Sequence, residues 1–401
     1  MERIQDVFPE SPRVSRRQLL TAGGVAALGA WYVRPSLFTS EQSLDPSVPP
    51  DAWPMRGRDP SRSGYATTTS APTDDVRVAW RTTVGDPHLF QSPTVAGDIL
   101  YALTRHELVA LDAATGTERW RFATGGELPQ GGPVVADGQA CYRAGVSLYA
   151  VSENQARWKF ATNSSFDEVL PVGNTIFLAS YFGSSDSLIA LDTSNGIPRW
   201  KTPSEHRHRP LAYADGIFVG AESSRNTLVG LDATNGETRW QLSRPGLPGD
   251  IEAAFGNGPV ISNGTLYGGA GRLYAVDVRE GSVEWTADAT GAVMATNGKT
   301  IFRAGEGHVV AVDSTDGSTR WKTSVGRTGE NRTSFISGLA VTDTAVYVGA
   351  ESSLVALDAA SGERLFAFEP KEGTGSVGPP AVVGERVYVG IENAVFALEE
   401  A

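Results

Sequence analysis

The stretch LIALDTSNGIPRW, residues 188–200, decides the fold because its pattern recurs along the chain. The apolar run ends at an aspartate, whose side chain can accept hydrogen bonds from the amides of a following tight turn. The glycine permits the positive φ that such a turn requires. The tryptophan begins the next strand, where its large ring can pack between neighbouring units. The pattern therefore predicts a strand, a tight turn and a second strand.

Eight copies of this pattern follow one another with a period of about 40 residues. Six copies keep both the aspartate and the glycine, namely Asp112 with Gly116, Asp192 with Gly196, Asp232 with Gly236, Asp277 with Gly281, Asp313 with Gly317, and Asp358 with Gly362. In these six copies the aromatic residue that follows is Trp120, Trp200, Trp240, Trp285, Trp321 or Phe366. A catalytic acid is not needed six times around a ring, so we interpret these residues as structural.

Each repeat unit contains four short strands bounded by Gly, Asp or Asn. In the second unit they are predicted at Pro133–Ala136, Ala140–Arg143, Leu148–Val151 and Arg157–Ala161. Four strands in about 40 residues are typical of a propeller blade. The sequence therefore predicts an all-β fold, a single eight-bladed β-propeller of four-stranded antiparallel blades.

The two ends of the repeat region predict how the ring closes. The eighth unit, residues 377–398, has three strands and no fourth, whereas a spare fourth-strand sequence, VRVAWRT, lies upstream at residues 76–82 and contains Trp80. Pairing of the two segments removes two exposed strand edges. We therefore expect one propeller domain over residues 53–401, with residues 76–82 completing blade 8.

The first residues indicate export. Arg16-Arg17 precedes an apolar run from Leu19 to Val33, the arrangement of a twin-arginine signal. Residues 1–34 are interpreted as that signal or as an uncleaved N-terminal anchor, which would place the protein outside the cell or at its surface. Residues 35–52 are rich in Pro, Ser and acidic residues and predict a flexible linker.

Composition narrows the class of protein. The formal net charge of −12 argues against binding to nucleic acid, which requires a basic face. A single cysteine, Cys141, excludes an intramolecular disulfide and predicts a buried, inert thiol. Of the 34 basic residues, five are lysine. An acidic, lysine-poor surface favours adaptation to high salt, although an arginine-rich genome of high GC content would give the same bias.

The motif A-x-D-x-x-[TN]-G-x-x-x-W resembles the quinoprotein repeat, also called the PQQ-like repeat, over residues 53–401. The segment Trp53–Pro60 with Ser63-Gly64-Tyr65 is similar to the one that precedes many such propellers. The chain most resembles the PQQ-like family that includes the B subunit of the bacterial barrel-assembly machinery. This resemblance implies a fold that hosts both enzymes and scaffolds.

PQQ-dependent alcohol dehydrogenases share the repeat, so the resemblance makes PQQ with Ca²⁺ a possible cofactor. Those enzymes hold Ca²⁺ with Glu, Asn and Asp beside a catalytic Asp, and no position of this sequence matches that set. Many also hold the quinone against a disulfide of adjacent cysteines, which the lone Cys141 cannot form. No catalytic residue is predicted.

The order of strands places the variable loops, residues 203–210, 243–258 and 324–337, on one face of the ring, where binding is usual. His206 and His208 alternate along an extended stretch, so both imidazoles can reach one ion, with Asp250 from the next loop as a third metal ligand. The alternative is a solvated polar loop.

A partner- or ligand-binding surface is predicted on the same face. Its candidate residues are His206, Arg207, Arg209, Arg327, Asn331, Arg332 and Phe335. Arginine and asparagine beside an aromatic ring suit an anionic group or a peptide carboxylate. A mobile charged loop would have the same composition.

These observations favour an exported, monomeric propeller that acts as a non-catalytic binding scaffold for extracytoplasmic proteins or envelope components. Two alternatives remain open. One is a PQQ- or metal-dependent oxidoreductase on the same fold, and the other is a ligand sensor that an uncleaved N-terminal segment tethers to the membrane.

Overall fold

The computed structural model describes residues 39–85, 92–162, 166–180, 186–203, 208–222, 227–243, 255, 258–269, 271–325, 336–350, 353–370 and 377–401. They form an all-β ring of eight antiparallel sheets, which confirms the predicted eight-bladed propeller. Within these residues no helix is both long and apolar enough to cross a membrane. The predicted signal or anchor, residues 1–34, lies outside them.

The strands are numbered along the chain. Blade 1 contains β1 (Ala52–Trp53), β3 (Thr94–Ala96), β4 (Ile99–Leu103), β5 (Glu107–Asp112) and β6 (Glu118–Ala123). Blade 2 contains β7 (Pro129–Ala136), β8 (Gln139–Ala144), β9 (Ser147–Ser152) and β10 (Gln155–Ala161). Blade 3 contains β11 (Phe166–Val172), β12 (Thr175–Ser180), β13 (Asp186–Asp192) and β14 (Pro198–Pro203). Blade 4 contains β15 (His208–Ala214), β16 (Ile217–Glu222), β17 (Thr227–Asp232) and β18 (Thr238–Leu242).

The second half of the ring repeats this arrangement. Blade 5 contains β19 (Val260–Ser262), β20 (Thr265–Gly268), β21 (Leu273–Asp277) and β22 (Val283–Ala287). Blade 6 contains β23 (Val293–Thr296), β24 (Thr300–Gly305), β25 (His308–Asp313) and β26 (Thr319–Ser324). Blade 7 contains β27 (Ile336–Val341), β28 (Ala345–Ala350), β29 (Leu354–Asp358) and β30 (Arg364–Phe368). Blade 8 contains β31 (Ala381–Val383), β32 (Arg386–Ile391), β33 (Ala394–Glu400) and β2 (Val76–Thr83).

The ring closes where the sequence predicts. Strand β2 pairs with β33 in antiparallel register, with Trp80 opposite Ala397, and supplies the outer strand of blade 8. The innermost strand of each blade, which is β3 in blade 1 and the first strand in the order along the chain in blades 2 to 8 apart from β2, lines the channel. These strands contact one another around the whole circuit, from β3 through β31 and back to β3. Hydrogen bonding therefore joins the two ends of the repeat region into one ring.

The outer aromatic residue of each blade lies over a small residue. Trp200 pairs across the sheet with Ala190, Trp240 with Gly230, and the other six blades place Ala opposite Trp or Phe. A Cβ added to Gly230 would lie 2.1 Å from Trp240 Cε2. The alanine or glycine of the motif leaves the space that the large ring fills.

The same rings join neighbouring blades. The Trp240 indole N–H donates to the Val278 carbonyl of blade 5 at 2.7 Å, and its ring covers Gly281, whose φ is +68°. In the described residues, six tryptophan rings lie over the motif glycine of the next blade. The pairs are Trp80 with Gly116, Trp158 with Gly196, Trp200 with Gly236, Trp240 with Gly281, Trp285 with Gly317 and Trp321 with Gly362. The motif glycine therefore permits the turn and also leaves room for the tryptophan of the preceding blade to pack against the turn.

The motif aspartates cap the turns, and four of the six, Asp112, Asp192, Asp232 and Asp313, also pair with an arginine. Asp112 accepts hydrogen bonds from the Thr115 amide and hydroxyl, and Arg119, which immediately precedes Trp120, donates to it at 2.6 Å. Arg320 pairs with Asp313 in the same way at 2.6 Å. The aspartate carboxylate and the arginine guanidinium therefore both stabilise the turn.

We expect protonation of these turns to destabilise the ring. Hydrogen bonds from Arg119, and then from Thr115, lower the pKa of Asp112 from 3.8 to about 2. A folded-state pKa below the unfolded one stabilises the fold above about pH 4, and this contribution is lost as the pH falls toward 2. In urea unfolding, the stability advantage of the wild type over Asp112→Asn is therefore expected to shrink between pH 5 and pH 2.5. A constant advantage would contradict this role of Asp112.

A segment that precedes the repeats runs around the inside of the ring. We call Ala52–Ala66 the inner segment. It pairs with β3 in blade 1, and Met55 lies in the apolar cluster that includes Phe166 of blade 3. Amides of five other blades donate to its carbonyls at 2.7–2.8 Å, namely Val135 to Pro54, Tyr213 to Pro60, Ile261 to Ser61, Thr296 to Ser63 and Val341 to Gly64. The inner segment therefore meets blades 1 to 7 in ring order.

Part of the predicted flexible linker also has defined contacts. Ser40 donates from its amide and hydroxyl to Asp192, at 2.6 and 2.8 Å, and Arg199 donates to the Ser40 hydroxyl. Asn174 exchanges hydrogen bonds with the backbone of Ser43. Although its side chains are mostly exposed, the described part of this segment lies against blades 3 and 4, where Gln42 donates to the Ala233 carbonyl and Tyr213 donates to the Leu44 carbonyl.

Candidate functional site

The two faces of the propeller differ in their loops. The short turns between the first and second strands of each blade, and the motif turns, share one face, which we call the short-turn face. The loops that enter each blade, and those between its second and third strands, share the other face, the variable-loop face. The inner segment bonds near the short-turn ends of the first strands, at Val135, Tyr213 and Ile261. It therefore covers the channel at the short-turn face.

The remaining channel forms a well that begins at the inner segment. The well has a volume of ≈ 40 Å³ and is partly open to solvent. Its lining comprises Arg56, Gly57, Arg62, Ser92, Gly258, Val293, Met294, Gly338, Leu339, Pro379 and Pro380. The inner segment supplies the two arginines and the blades supply mainly apolar walls.

The charge of the described lining is positive. Arg56 is exposed within the channel, and Arg62 is 6% exposed. None of the described lining residues carries a carboxylate. The neighbouring Arg58 is 6% exposed and donates to the Pro49 carbonyl, and burial lowers its pKa. Both charged residues of the described lining are therefore arginines, and Asp59 of the same inner segment accepts hydrogen bonds from Ser61 and Ser63.

Most of the predicted loop residues lie outside the described part of the chain. These are His206, Arg207, Asp250, Arg327, Asn331, Arg332 and Phe335. The backbones of His208 and Arg209 open β15, opposite Glu222 and Ala221. No group of three or more His, Cys, Asp or Glu in the described residues is placed to hold a metal ion. The predicted metal site and binding patch stay predictions.

Two buried groups that do not line the well have structural roles. Cys141 in β8 is fully buried, and burial raises the pKa of its thiol. Arg303 in β24 is also fully buried and donates to the carbonyls of Gly269, Ala289 and Gly291. Arg303 thereby links blade 6 to blade 5 beneath the variable-loop face, a role that its sequence position does not reveal.

The fold has relatives among solved structures. BamB from Moraxella catarrhalis superposes with a TM-score of 0.63 at 17% identity, over 81% of this chain and 100% of that one. The quinohemoprotein alcohol dehydrogenase ADHIIG from Pseudomonas putida HK5 gives 0.69 at 14% identity, over 87% and 80%. A europium-containing methanol dehydrogenase gives 0.66 at 12% identity, over 88% and 98%. At these identities the similarity shows the fold alone.

Sequence comparison adds one curated relative. The serine/threonine-protein kinase AfsK of Streptomyces griseus is 31% identical over 149 residues, which are 33% of this chain and 18% of the kinase. This chain thus matches less than a fifth of the kinase's length.

Two family models match the chain itself. The model for the β-propeller domain of glucose, ethanol and alcohol dehydrogenases matches residues 53–196. The model described as outer membrane protein assembly factor BamB matches residues 143–299 and 305–401. Because the second model covers more than half of the chain, the protein belongs to the PQQ-like propeller family described as outer membrane protein assembly factor BamB.

Proposed function

We propose that this propeller is an exported, non-catalytic scaffold that binds extracytoplasmic proteins or envelope components through its variable-loop face. The observation that carries the proposal is the construction of the channel. The lining of the well, which comes from the inner segment and from blades 1 and 5 to 8, offers two guanidinium groups, a hydroxyl group and apolar walls, and no pair of acid and base for catalysis. The motif carboxylates are committed to turns on the opposite face.

The described residues do not fit the cofactor that the dehydrogenase relatives suggest. Ca²⁺ takes about six to eight oxygen ligands, several of them carboxylates. Arginine side chains at the floor of the well would repel the ion, and no described lining residue supplies a carboxylate. We therefore assign no catalytic step to PQQ or to a metal ion.

The twin-arginine pattern at Arg16-Arg17 supports export. If residues 1–34 remain as an anchor, they join the propeller at its short-turn face, because Ser40 and Ser43 contact the turns of blade 3 there. The variable-loop face would then point away from the membrane, toward partners.

Capture from an envelope extract tests the proposal. We expect the wild-type protein to retain a defined partner after crosslinking, and Arg332→Glu to lose it. Arg279→Glu is the matched control, since Arg279 is an exposed side chain on a motif turn and pairs with Asp215 on the short-turn face. Equal capture by both variants would contradict binding through the variable-loop face.

A further inference from the structure

Within the described residues, seven of the eight boundaries between blades contain the same type of hydrogen bond. An indole N–H or a tyrosine hydroxyl of one blade donates to a backbone carbonyl on the side of the next blade. From blade 2 onward the pairs are Trp158 with Thr193, Trp200 with Ala233, Trp240 with Val278, Tyr267 with Ser314, Trp321 with Ala359, Tyr347 with Pro72 and Trp80 with Ala113. All of these carbonyls except that of Pro72 belong to the residue that follows a motif aspartate.

Blade 8 has two such donors. Trp80 and Tyr388 both lie opposite Ala397, and both donate to the Ala113 carbonyl of blade 1 at 3.1 Å. The Trp80 ring also covers Gly116 of the same turn. One motif turn therefore supplies an acceptor for two donors and a glycine against which the ring packs.

Blade 1 has the same pair of aromatic side chains but no acceptor. Tyr101 and Trp120 both lie opposite Ala110, with their ring centroids 5.8 Å apart. In blade 2 the turn at Glu153-Asn154 is two residues shorter than a motif turn. Tyr101 is 4% exposed, and in the described part of the chain neither its hydroxyl nor the Trp120 N–H has a hydrogen-bond partner. We call the site formed by Tyr101, Trp120 and this turn the blade 1–2 notch.

The boundary between blades 7 and 8 has an acceptor from outside the blades. There the Tyr347 hydroxyl donates at 2.7 Å to the carbonyl of Pro72, which precedes β2 and belongs to no motif turn. The aromatic donors of a blade can therefore bind a carbonyl that another segment brings to them. Because a buried donor without a partner is unfavourable, a carbonyl brought to the blade 1–2 notch by another chain gains the same bond.

We propose that the blade 1–2 notch binds a glycine-containing turn of a partner protein, whose backbone carbonyl accepts hydrogen bonds from Trp120 and Tyr101. The glycine of that turn packs under the Trp120 ring, as the motif glycines do at other boundaries. Tryptophan and tyrosine are the residue types that often dominate binding at protein interfaces. The notch lies at the outer edge of the ring beside the short-turn face, so this proposal does not depend on binding through the variable-loop face.

The test uses the whole protein and a cyclised peptide with the sequence of residues 111–119, LDAATGTER, which contains the turn that Trp80 contacts. Binding is followed by NMR of the tryptophan indole N–H signals, and Trp120→Phe assigns the signal of Trp120. We expect that signal to shift saturably and the exchange of its proton with water to slow. The control peptide carries Gly116→Val, because a Cβ at this position would lie 2.5 Å from the Trp80 ring. Absence of a saturable shift, or equal shifts with both peptides, would overturn the proposal.

Two variants locate the binding. Replacing residues 152–155 with the sequence of residues 112–117 gives blade 2 a motif turn of its own, so this filled variant should lose peptide binding while it keeps Trp120. Tyr101→Phe removes only the hydroxyl and should weaken the peptide affinity by about three- to tenfold. Tyr267→Phe is the matched control, since that hydroxyl already donates to Ser314 at another boundary, and it should leave the affinity unchanged.

Thermal unfolding checks that each variant is folded, and Tyr101→Phe decides if the filled variant does not fold. Unchanged affinity in Tyr101→Phe, or in a folded filled variant, would contradict the proposed site. Sedimentation of the protein without peptide tests another occupant. A dimer that the filled variant loses would identify a second copy of this chain as the occupant and would overturn the proposal of a partner protein.

Discussion

Replacing Trp80 with alanine is expected to lower the free energy of unfolding by about 3–5 kcal/mol, the usual cost of removing a buried tryptophan. Trp80 is 8% exposed, and its indole N–H donates to the Ala113 carbonyl of blade 1 at 3.1 Å. Its ring also covers Gly116. Because no turn connects β2 to β33, the contact of this side chain with blade 1 helps to hold β2 in blade 8. Urea unfolding at neutral pH measures the loss.

Trp120→Ala is the matched control. Trp120 holds the equivalent place in blade 1, but the following turn in blade 2 lacks both the aspartate and the glycine of the motif. Trp120 is only half-buried. We expect a clearly smaller loss of stability, and equal losses would show that the contact between blades adds nothing to the burial of the ring.

The second large effect is expected for Gly281→Ala. The added Cβ would lie 2.4 Å from Trp240 Cδ2, and the backbone φ of +68° is unfavourable for alanine. Strain and overpacking together should cost about 2–4 kcal/mol in the free energy of unfolding. The substitution would disturb the backbone of the turn and the packing of Trp240 at the same time.

Gly264→Ala separates the two causes. Its φ is +80°, and nothing lies within 4 Å of an added Cβ, so only backbone strain applies. A loss of about 1–2 kcal/mol is expected there. If the two alanine variants lose the same stability in urea, the tryptophan contact is not a constraint on the glycine.

The repeat and the closure of the ring could be predicted because local chemistry produces both. Each strand is short and apolar, each turn has its own aspartate and glycine, and the segment containing Trp80 has the pattern of an outer strand. The structure extends the predicted bounds by a few residues, for example from 133–136 to Pro129–Ala136 in β7. Backbone pairing continues there beyond the apolar run.

The course of the inner segment could not be predicted from its residues. Ala52–Ala66 is rich in Gly, Pro, Ser and Arg and has neither strand nor helix periodicity. Its hydrogen bonds to the blades are made mostly by backbone carbonyls, with blades that lie far away in sequence. The one feature of its sequence that indicates burial is the pair of large apolar residues Trp53 and Met55, which are nearly fully buried in the structure. The arginines that pair with the motif aspartates were missed because each belongs to the following strand.

The scaffold account is tested most directly by titrating the purified protein with PQQ and Ca²⁺ in molar salt, following heat and quinone absorbance. We expect no stoichiometric binding that requires Ca²⁺, since the floor of the channel presents Arg56 and Arg62 and the described lining has no carboxylate. Tight, Ca²⁺-dependent binding of one PQQ per chain would contradict the account and would direct the search to alcohol and sugar substrates.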